Sequence, residues 1–377
     1  MFVLCSDITI GKFRFSGVHE VRVQRSLHSF CDMAWIKIPS ICRIIRGKSA
    51  SPETLVTGNQ FADGEKVTIN LGYNDTTILS GAATPIIPGG KNDGLCTVFQ
   101  GFVKRRNMNM PLEVECEGYS YKLRRMNVTA FRAKTTVSEL LKLLMHEQDS
   151  SSGKMMQGEA NGISVVVNND LHLINVSLNE NNGIEIIEAI KRWSQGTLNI
   201  FFINPTTLWC GLTYTPYVAT SSNPHGMDPF GLGTVKYKLG YNVVKDNNLK
   251  ERVVADDRVQ ILFGGTFANG KKVMTASDEK SAKRRQKTIL NNTGDLADMK
   301  MMANEAQYKA NYAGYEGYVS SFLQPYAGPG WIADITDDRY AERNGQYMIE
   351  GTDITYGQRG ARIKVEIGPL LGFNPDK

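Results

Sequence analysis

From Val319 to Gly368 the chain repeats its apolar residues with a period of two, and this limits what it can fold into more than any other stretch. Trp331, Ile332 and Ile335 begin a short apolar run. A polar, turn-rich segment follows and ends at Asn344-Gly345, a hairpin signal. Tyr347, Ile349 and Gly351 then alternate with Met348 and Glu350. After a turn at Gln358 to Gly360, Ile363, Val365 and Ile367 point one way while Lys364 and Glu366 point the other. Alternation of this kind predicts antiparallel strands with one buried and one wetted face. Such strands must pair or close their edges, so a small β-barrel or sandwich is the economical fold.

The first 125 residues share this texture. Val21 and Val23 alternate with Arg22 and Gln24, and Ala34 to Pro39 reads as a strand stopped by a proline. Val67, Ile69 and Leu71 share one face within Gly64 to Asp75. Phe99 to Val103 follows, and then Leu112, Val114 and Cys116 alternate with Glu113, Glu115 and Glu117. Gly81 to Gly94 is a loop by its glycine and proline content. A short echo, Asn70 to Asn74 (NLGYN) against Tyr237 to Asn242 (YKLGYN), together with the shared strand texture, suggests two related β modules.

Between them the pattern becomes helical. Thr136 and Glu139 form a capping box, and Val137, Leu140, Leu141 and Leu144 follow at helical spacing, which predicts a helix from 137 to about 148. Asn182 and Glu185 repeat that geometry before Ile184, Ile187, Ala189, Ile190 and Trp193, and Gly196 stops the second helix. Leu198 to Phe202 and Thr207 to Leu212 read as a hairpin around Pro205. The fold class expected is therefore mainly β with α+β. Residues 1–125 form a first β-barrel domain, 126–217 an inserted α+β domain, and 218–377 a second β-barrel domain. The last carries a basic loop at 265–290 and a helix at 295–312, whose stripe is Leu296, Met299, Ala303, Ala306 and Ala310. A linker rich in Ser, Asn, Pro and Gly runs from Ala219 to Gly233.

The chain has 377 residues, enough for two or three domains at roughly 150 residues each. Its net charge of +5 is mild and does not by itself imply nucleic-acid binding. Cys5, Cys31, Cys42, Cys96, Cys116 and Cys210 form no CxxC pair, and they read as free thiols in a reducing compartment. No apolar run is long enough to span a membrane, and the N-terminus reads as a first strand and not as a signal peptide.

No catalytic constellation emerges: there is no GxSxG, Walker A, HExxH or zinc spacing. His19, His28, His146, His172 and His225 are scattered and read as surface or half-buried residues. Glu113, Glu115 and Glu117 share one strand face, and two carboxylates about 5–9 Å apart serve a glycosidase. The plainer expectation is a solvated sheet face. Lys104-Arg105-Arg106, Arg124-Arg125 and Lys280 to Lys287 are basic clusters without interleaved aromatics, which reads as solvated loops or a protein-contact surface. Asp334, Asp337 and Asp338 read as a turn and not as a calcium loop. No catalytic, cofactor-binding or metal-binding residue is assigned, and an enzyme is not expected.

Taken in order, these segments resemble the phage tail baseplate hub proteins, a trimeric ring shared by contractile tails, related long-tail hubs and the N-terminal part of type VI secretion spike proteins. The resemblance rests on Arg25 to Pro39, on Gly64 to Tyr73 followed by Phe99 to Val103, and on Leu112 to Leu123. It continues through the helices at Lys134 to Leu144 and Gly183 to Trp193. It ends with Gly328-Pro329-Gly330, Gly345 to Gly351 and Arg362 to Gly368. The Gly81 to Gly94 insert departs from the pattern. The resemblance implies a homotrimer of pseudo-sixfold symmetry that joins the tail tube protein to a central spike or tip protein and contacts other baseplate proteins. DNA or effectors would pass through its pore without specific binding. The chain would be part of the virion tail, assembled in the bacterial cytoplasm, with no cofactor. The alternatives are a tail-associated peptidoglycan-degrading enzyme using Glu115, or a carbohydrate- or DNA-binding β protein.

Overall fold

The computed structural model describes residues 2–15, 17–39, 43–46, 52–54, 61–75, 95–126, 131–145, 162–178, 182–214, 230–245, 248–252, 258–266, 270–277, 284–290, 295–312 and 314–371. The insert at Gly81 to Gly94, most of the linker at Ala219 to Gly233, Cys42, His146 and His225 lie outside them.

The fold is mainly β. The first strands are β1 (Phe2–Ile10), β2 (Phe13–Phe15), β3 (Glu20–Ser26), β4 (Met33–Ile38), β5 (Arg43–Arg46), β6 (Pro52–Thr54), β7 (Lys66–Asp75), β8 (Leu95–Asn107) and β9 (Leu112–Glu117). Helix α1 (Ser120–Arg125), β10 (Phe131–Thr136), α2 (Val137–Lys142), β11 (Ser164–Val167), β12 (His172–Leu178), α3 (Gly183–Trp193), β13 (Asn199–Asn204) and β14 (Thr207–Gly211) follow. The remainder is β15 (Thr234–Lys238), β16 (Val243–Lys245), β17 (Lys250–Arg252), β18 (Val259–Thr266), β19 (Lys272–Ala276), β20 (Arg284–Leu290), α4 (Leu296–Asn311), β21 (Gly314–Ser321), β22 (Ile332–Thr336), β23 (Gly345–Gly357) and β24 (Gly360–Leu370).

One continuous sheet carries both ends of the chain, in the order β16-β21-β24-β23-β3-β4-β9-β8-β7-β1-β2-β5-β6. Its centre is the antiparallel ladder between β23 and β3, which runs from Gly351 opposite Ser26 to Gly357 opposite Glu20. The two β modules therefore meet edge to edge and share one core. Val21 and Val23 lie beside Tyr356 and Ile354 in that core. In the C-terminal half β15 pairs β22, β22 pairs β23, and an isolated parallel bridge joins Leu239 to Val243. The strands run in the order β15-β22-β23-β24-β21-β16, and the bridge brings the end of β15 beside the start of β16 across the turn at 239–243. The NLGYN echo does not mark matching positions. Its first copy lies inside β7, while the second leaves β15 for a turn at Gly240, where φ is +79°.

Period two explains the buried set. Leu112, Val114 and Cys116 face the core from β9, and Ile363, Val365 and Ile367 face it from β24. At about 25 cal/mol per Å² of apolar surface, this is the main stabilising term.

A second core gathers around the helices. The capping box of α2 is present: Thr136 Oγ1 accepts from Glu139 N, and Glu139 Oε2 accepts from Thr136 N. Only Val137–Lys142 is α-helical, and Leu143–Met145 tightens into a 3-10 turn. Asn182 caps α3, and Gly196 ends that region with φ of +71°. Leu140, Leu144, Ile187 and Ile190 pack there with Ile261 and Phe263 of β18 and with Met299 and Met302 of α4. The buried side of α4 is thus Met299, Met302, Ala303 and Glu305, while Leu296 is exposed. Buried Glu305 accepts from the backbone N–H groups of Thr213 and Tyr214, which ties α4 to the end of the α+β portion.

The basic segment read as a loop contains two strands. β19 pairs β18 antiparallel and β20 pairs β18 parallel. The sequence hides them because both strands are short and polar on both faces: by register Gln286, Thr288 and Thr275 share the face of Ile261 and Phe263, while Lys272, Arg285 and Lys287 lie on the other.

Candidate functional site

On the outer face of the continuous sheet, charged side chains from strands far apart in sequence stand side by side. Arg22 of β3 grips Asp353 of β23 with two hydrogen bonds, Nη2–Oδ2 at 2.6 Å and Nε–Oδ1 at 3.1 Å. Gln24 Nε2 donates to the same carboxylate. The Arg22 guanidinium also lies 5.8 Å from the Trp35 ring on β4. Trp35 sits opposite Glu115 of β9, and Glu115 meets Arg105 at 2.8 Å and Lys104 at 3.1 Å from β8. A parallel row runs from Glu20 through Lys37, 2.7 Å apart, to Glu113, which accepts from Asn107 Nδ2 at 2.9 Å. The hydrogen bond from Lys37 holds the Glu20 carboxyl below its ordinary range. Cross-strand pairs of opposite charge are the local reason for this register.

Glu117 continues that strand but lies fully buried beneath α1. It accepts from Ser120 Oγ at 2.8 Å and pairs with Arg124 at 3.1 Å and Lys104 at 3.7 Å. Arg106 meets Asp63 at 3.3 Å. Two expectations are therefore corrected. The row Glu113, Glu115 and Glu117 is not a simple solvated face, since Glu115 and Glu117 are buried. The basic clusters at 104–106 and 124–125 lie on β8 and α1 and not in loops: Lys104, Arg105, Arg106 and Arg124 pair with carboxylates, and Arg125 lies over the Tyr121 ring.

Arg25 joins three parts of the chain from the end of β3. It meets Asp32 at 3.0 Å, the Tyr326 hydroxyl at 3.4 Å and the Phe202 carbonyl at 3.2 Å. Burial opposes its charge, but Asp32 and Tyr326 outweigh burial and hold the guanidinium protonated. Beside it, a cleft of about 310 Å³ is lined by Gln24, Ser29, Cys31, Asp353 and Glu366 among others. Burial pushes the Cys31 thiol up, away from the range of an activated nucleophile.

Cys96, Cys116 and Cys210 are buried free thiols, and Cys5 and Cys31 are half-buried. Asp337 anchors a turn: it accepts from the backbone of Arg339 and Tyr340 and pairs with Arg343 at 3.2 Å. His28 reaches Glu350 at 3.3 Å. Folding also brings His172 to Asp295 and Asp298, a cluster invisible in sequence because the aspartates lie more than a hundred residues away. Both carboxylates have structural work there. Asp295 caps α4, and Asp298 accepts from His172 N at 2.8 Å. Among the described residues no helix is long and apolar enough to cross a membrane.

No family model matches the chain, and no curated protein matches it in sequence. Solved structures do match. The tail protein from Neisseria meningitidis MC58 superposes with a TM-score of 0.60 at 11% identity, over 97% of this chain and 96% of that one. The 43 kDa tail protein of prophage MuSo2 from Shewanella oneidensis superposes with a TM-score of 0.52 at 11% identity, over 99% and 98%. The chain has the fold of these tail proteins along its whole length, so the tail-hub resemblance read from the sequence holds at the level of fold.

Proposed function

We propose that this chain is a structural tail hub: a homotrimeric ring that joins the tail tube to a central spike or tip and contacts other baseplate proteins. The observation that carries the reading is the fold shared end to end with two tail proteins. Three chains, each with two β modules joined through β3 and β23, would present six modules around an axis. The outer face of the continuous sheet suits a pore wall. Arg22, Lys37, Lys104 and Arg105 on it are already held by carboxylates, which would weaken its attraction for passing DNA.

The enzyme reading has less support. Lys104 and Arg105 hold the Glu115 carboxylate, and Asn107 occupies Glu113. With its oxygens engaged by two cations, this carboxylate is not presented to a substrate. Light scattering tests the hub reading. The expected mass is three times the 41.8 kDa chain, with class averages showing a central pore and six lobes. A mass of one chain at every concentration and salt, even with a tube or spike partner added, would sink it.

A further inference from the structure

The small sheet of β18, β19 and β20 has a second face that the tail reading leaves unused. One face packs on α4 through Ile261 and Phe263. The register places Lys272 and Met274 of β19, Leu262 and Gln260 of β18, and Lys287 and Arg285 of β20 together on the other. Lys272, Arg285 and Lys287 are exposed, and Met274 is 55% exposed. These three strands contain no Asp or Glu. Among the described residues, no ion pair engages Lys272, Arg285 or Lys287. Elsewhere on the molecule Arg22, Lys37, Lys104 and Arg105 each hold a carboxylate. Among the described strands β20 pairs only with β18, so its far edge offers seven residues of backbone without a strand partner.

We infer that the β20 edge is a docking site for an extended acidic strand of another protein, added beside Arg284–Leu290. Backbone hydrogen bonds would supply the attachment, and carboxylates at alternate positions would face Arg285 and Lys287. Arginine and lysine on an edge strand ordinarily block pairing between copies, because like charges would lie opposite each other. That repulsion excludes a second copy here and selects an acidic partner by the same physics. Duplex DNA fits less well: it has no strand to add, and Met274 and Leu262 at the centre of the face offer phosphates nothing. The inference rests on the local sheet and not on the hub reading, so a chain that never forms a ring would still bind.

The test uses the full chain and a fluorescein-labelled peptide of alternating Glu and Val, matched to the seven residues of β20. Anisotropy should rise on titration. A peptide of the same charge interrupted by proline should bind about tenfold more weakly, since it cannot pair along the edge. The double variant Arg285→Glu/Lys287→Glu should lose about tenfold or more in affinity, with its circular dichroism unchanged. Lys272→Glu, on the opposite edge strand, should bind like the parent. The inference is overturned if the acidic peptide does not bind. Equal binding of the proline peptide would reduce the site to bare charge and overturn it too. It also fails if a labelled DNA duplex binds more tightly than the peptide and loses that binding in the double variant. A parent chain that self-associates, where the double variant does not, would assign the edge to a second copy instead.

Discussion

Two wetted β faces of this molecule are built from the same kinds of residue and end in opposite electrostatic states. On the continuous sheet, Lys104 and Arg105 meet Glu115, Arg22 meets Asp353, and Lys37 meets Glu20. On the sheet of β18 to β20, Lys272, Arg285 and Lys287 share a face with no carboxylate. In sequence, Lys104-Arg105-Arg106 and the basic run ending at Lys287 look alike. The difference lies in what the fold sets beside them. Asp353 is 331 residues from Arg22, and a cluster's partners cannot be read from the cluster itself.

The largest test of that contrast is Glu117→Ala. Glu117 is wholly buried and answers Arg124, Lys104 and Ser120 at once. Removing it leaves the buried Ser120 hydroxyl without its acceptor and a space beneath α1, while the half-exposed Arg124 and Lys104 can turn to water, so the expected loss is about 2–3 kcal/mol. Urea unfolding should show that loss, and a change under about 1 kcal/mol would mean the cluster does not anchor α1 to β9.

Gly101→Ala comes next. A Cβ at Gly101 would lie 2.2 Å from the Glu117 carbonyl oxygen, and main chain cannot swing aside as a side chain does. The expected loss is about 1–3 kcal/mol by the same urea measurement. A neutral outcome would show that the β8–β9 ladder slips freely, and the carboxylate rows with it.

These first two expectations mark the limit of what the sequence discloses. Period two in Leu112 to Cys116 and Ile363 to Ile367, and the Thr136–Glu139 box, announce their elements through local rules. The ladder between β3 and β23 has no local signal, because any two alternating strands could have paired. The strands β19 and β20 were missed for a related reason: pairing with β18 and cover from α4 hold a sequence that is too polar to look like strand. The burial of Glu117 was hidden because α1, which covers it, is one short polar helix. Only the ordered resemblance to tail hubs suggests a use for the paired face, the pore wall proposed above.

A smaller effect separates exposed pairs from buried ones. A double-mutant cycle on Arg22 and Asp353 should give a coupling of about 0.2–1 kcal/mol, falling with added salt, since Arg22 is largely exposed. A coupling above about 2 kcal/mol would mean that this pair is shielded from solvent and helps hold the central ladder. By contrast Arg285→Glu, with no partner to lose, should move stability by no more than about 0.5 kcal/mol.

The smallest effect is one of pH. The Glu20 carboxyl sits below its ordinary value because Lys37 donates to it, with burial working the other way. A carboxylate with a depressed folded pKa binds fewer protons folded than unfolded, so its contribution to stability is complete above the unfolded value. It is lost as pH falls through the folded one. The thermal midpoint of the parent should therefore fall more steeply on the acid side than that of Glu20→Gln, and the two should run parallel near neutrality. The same comparison on Lys272→Gln should show no difference in slope, because the small sheet contains no carboxylate to protonate. If Lys272→Gln changes the acid limb as much as Glu20→Gln, then an acid from elsewhere reaches that face, and the contrast between the two surfaces fails.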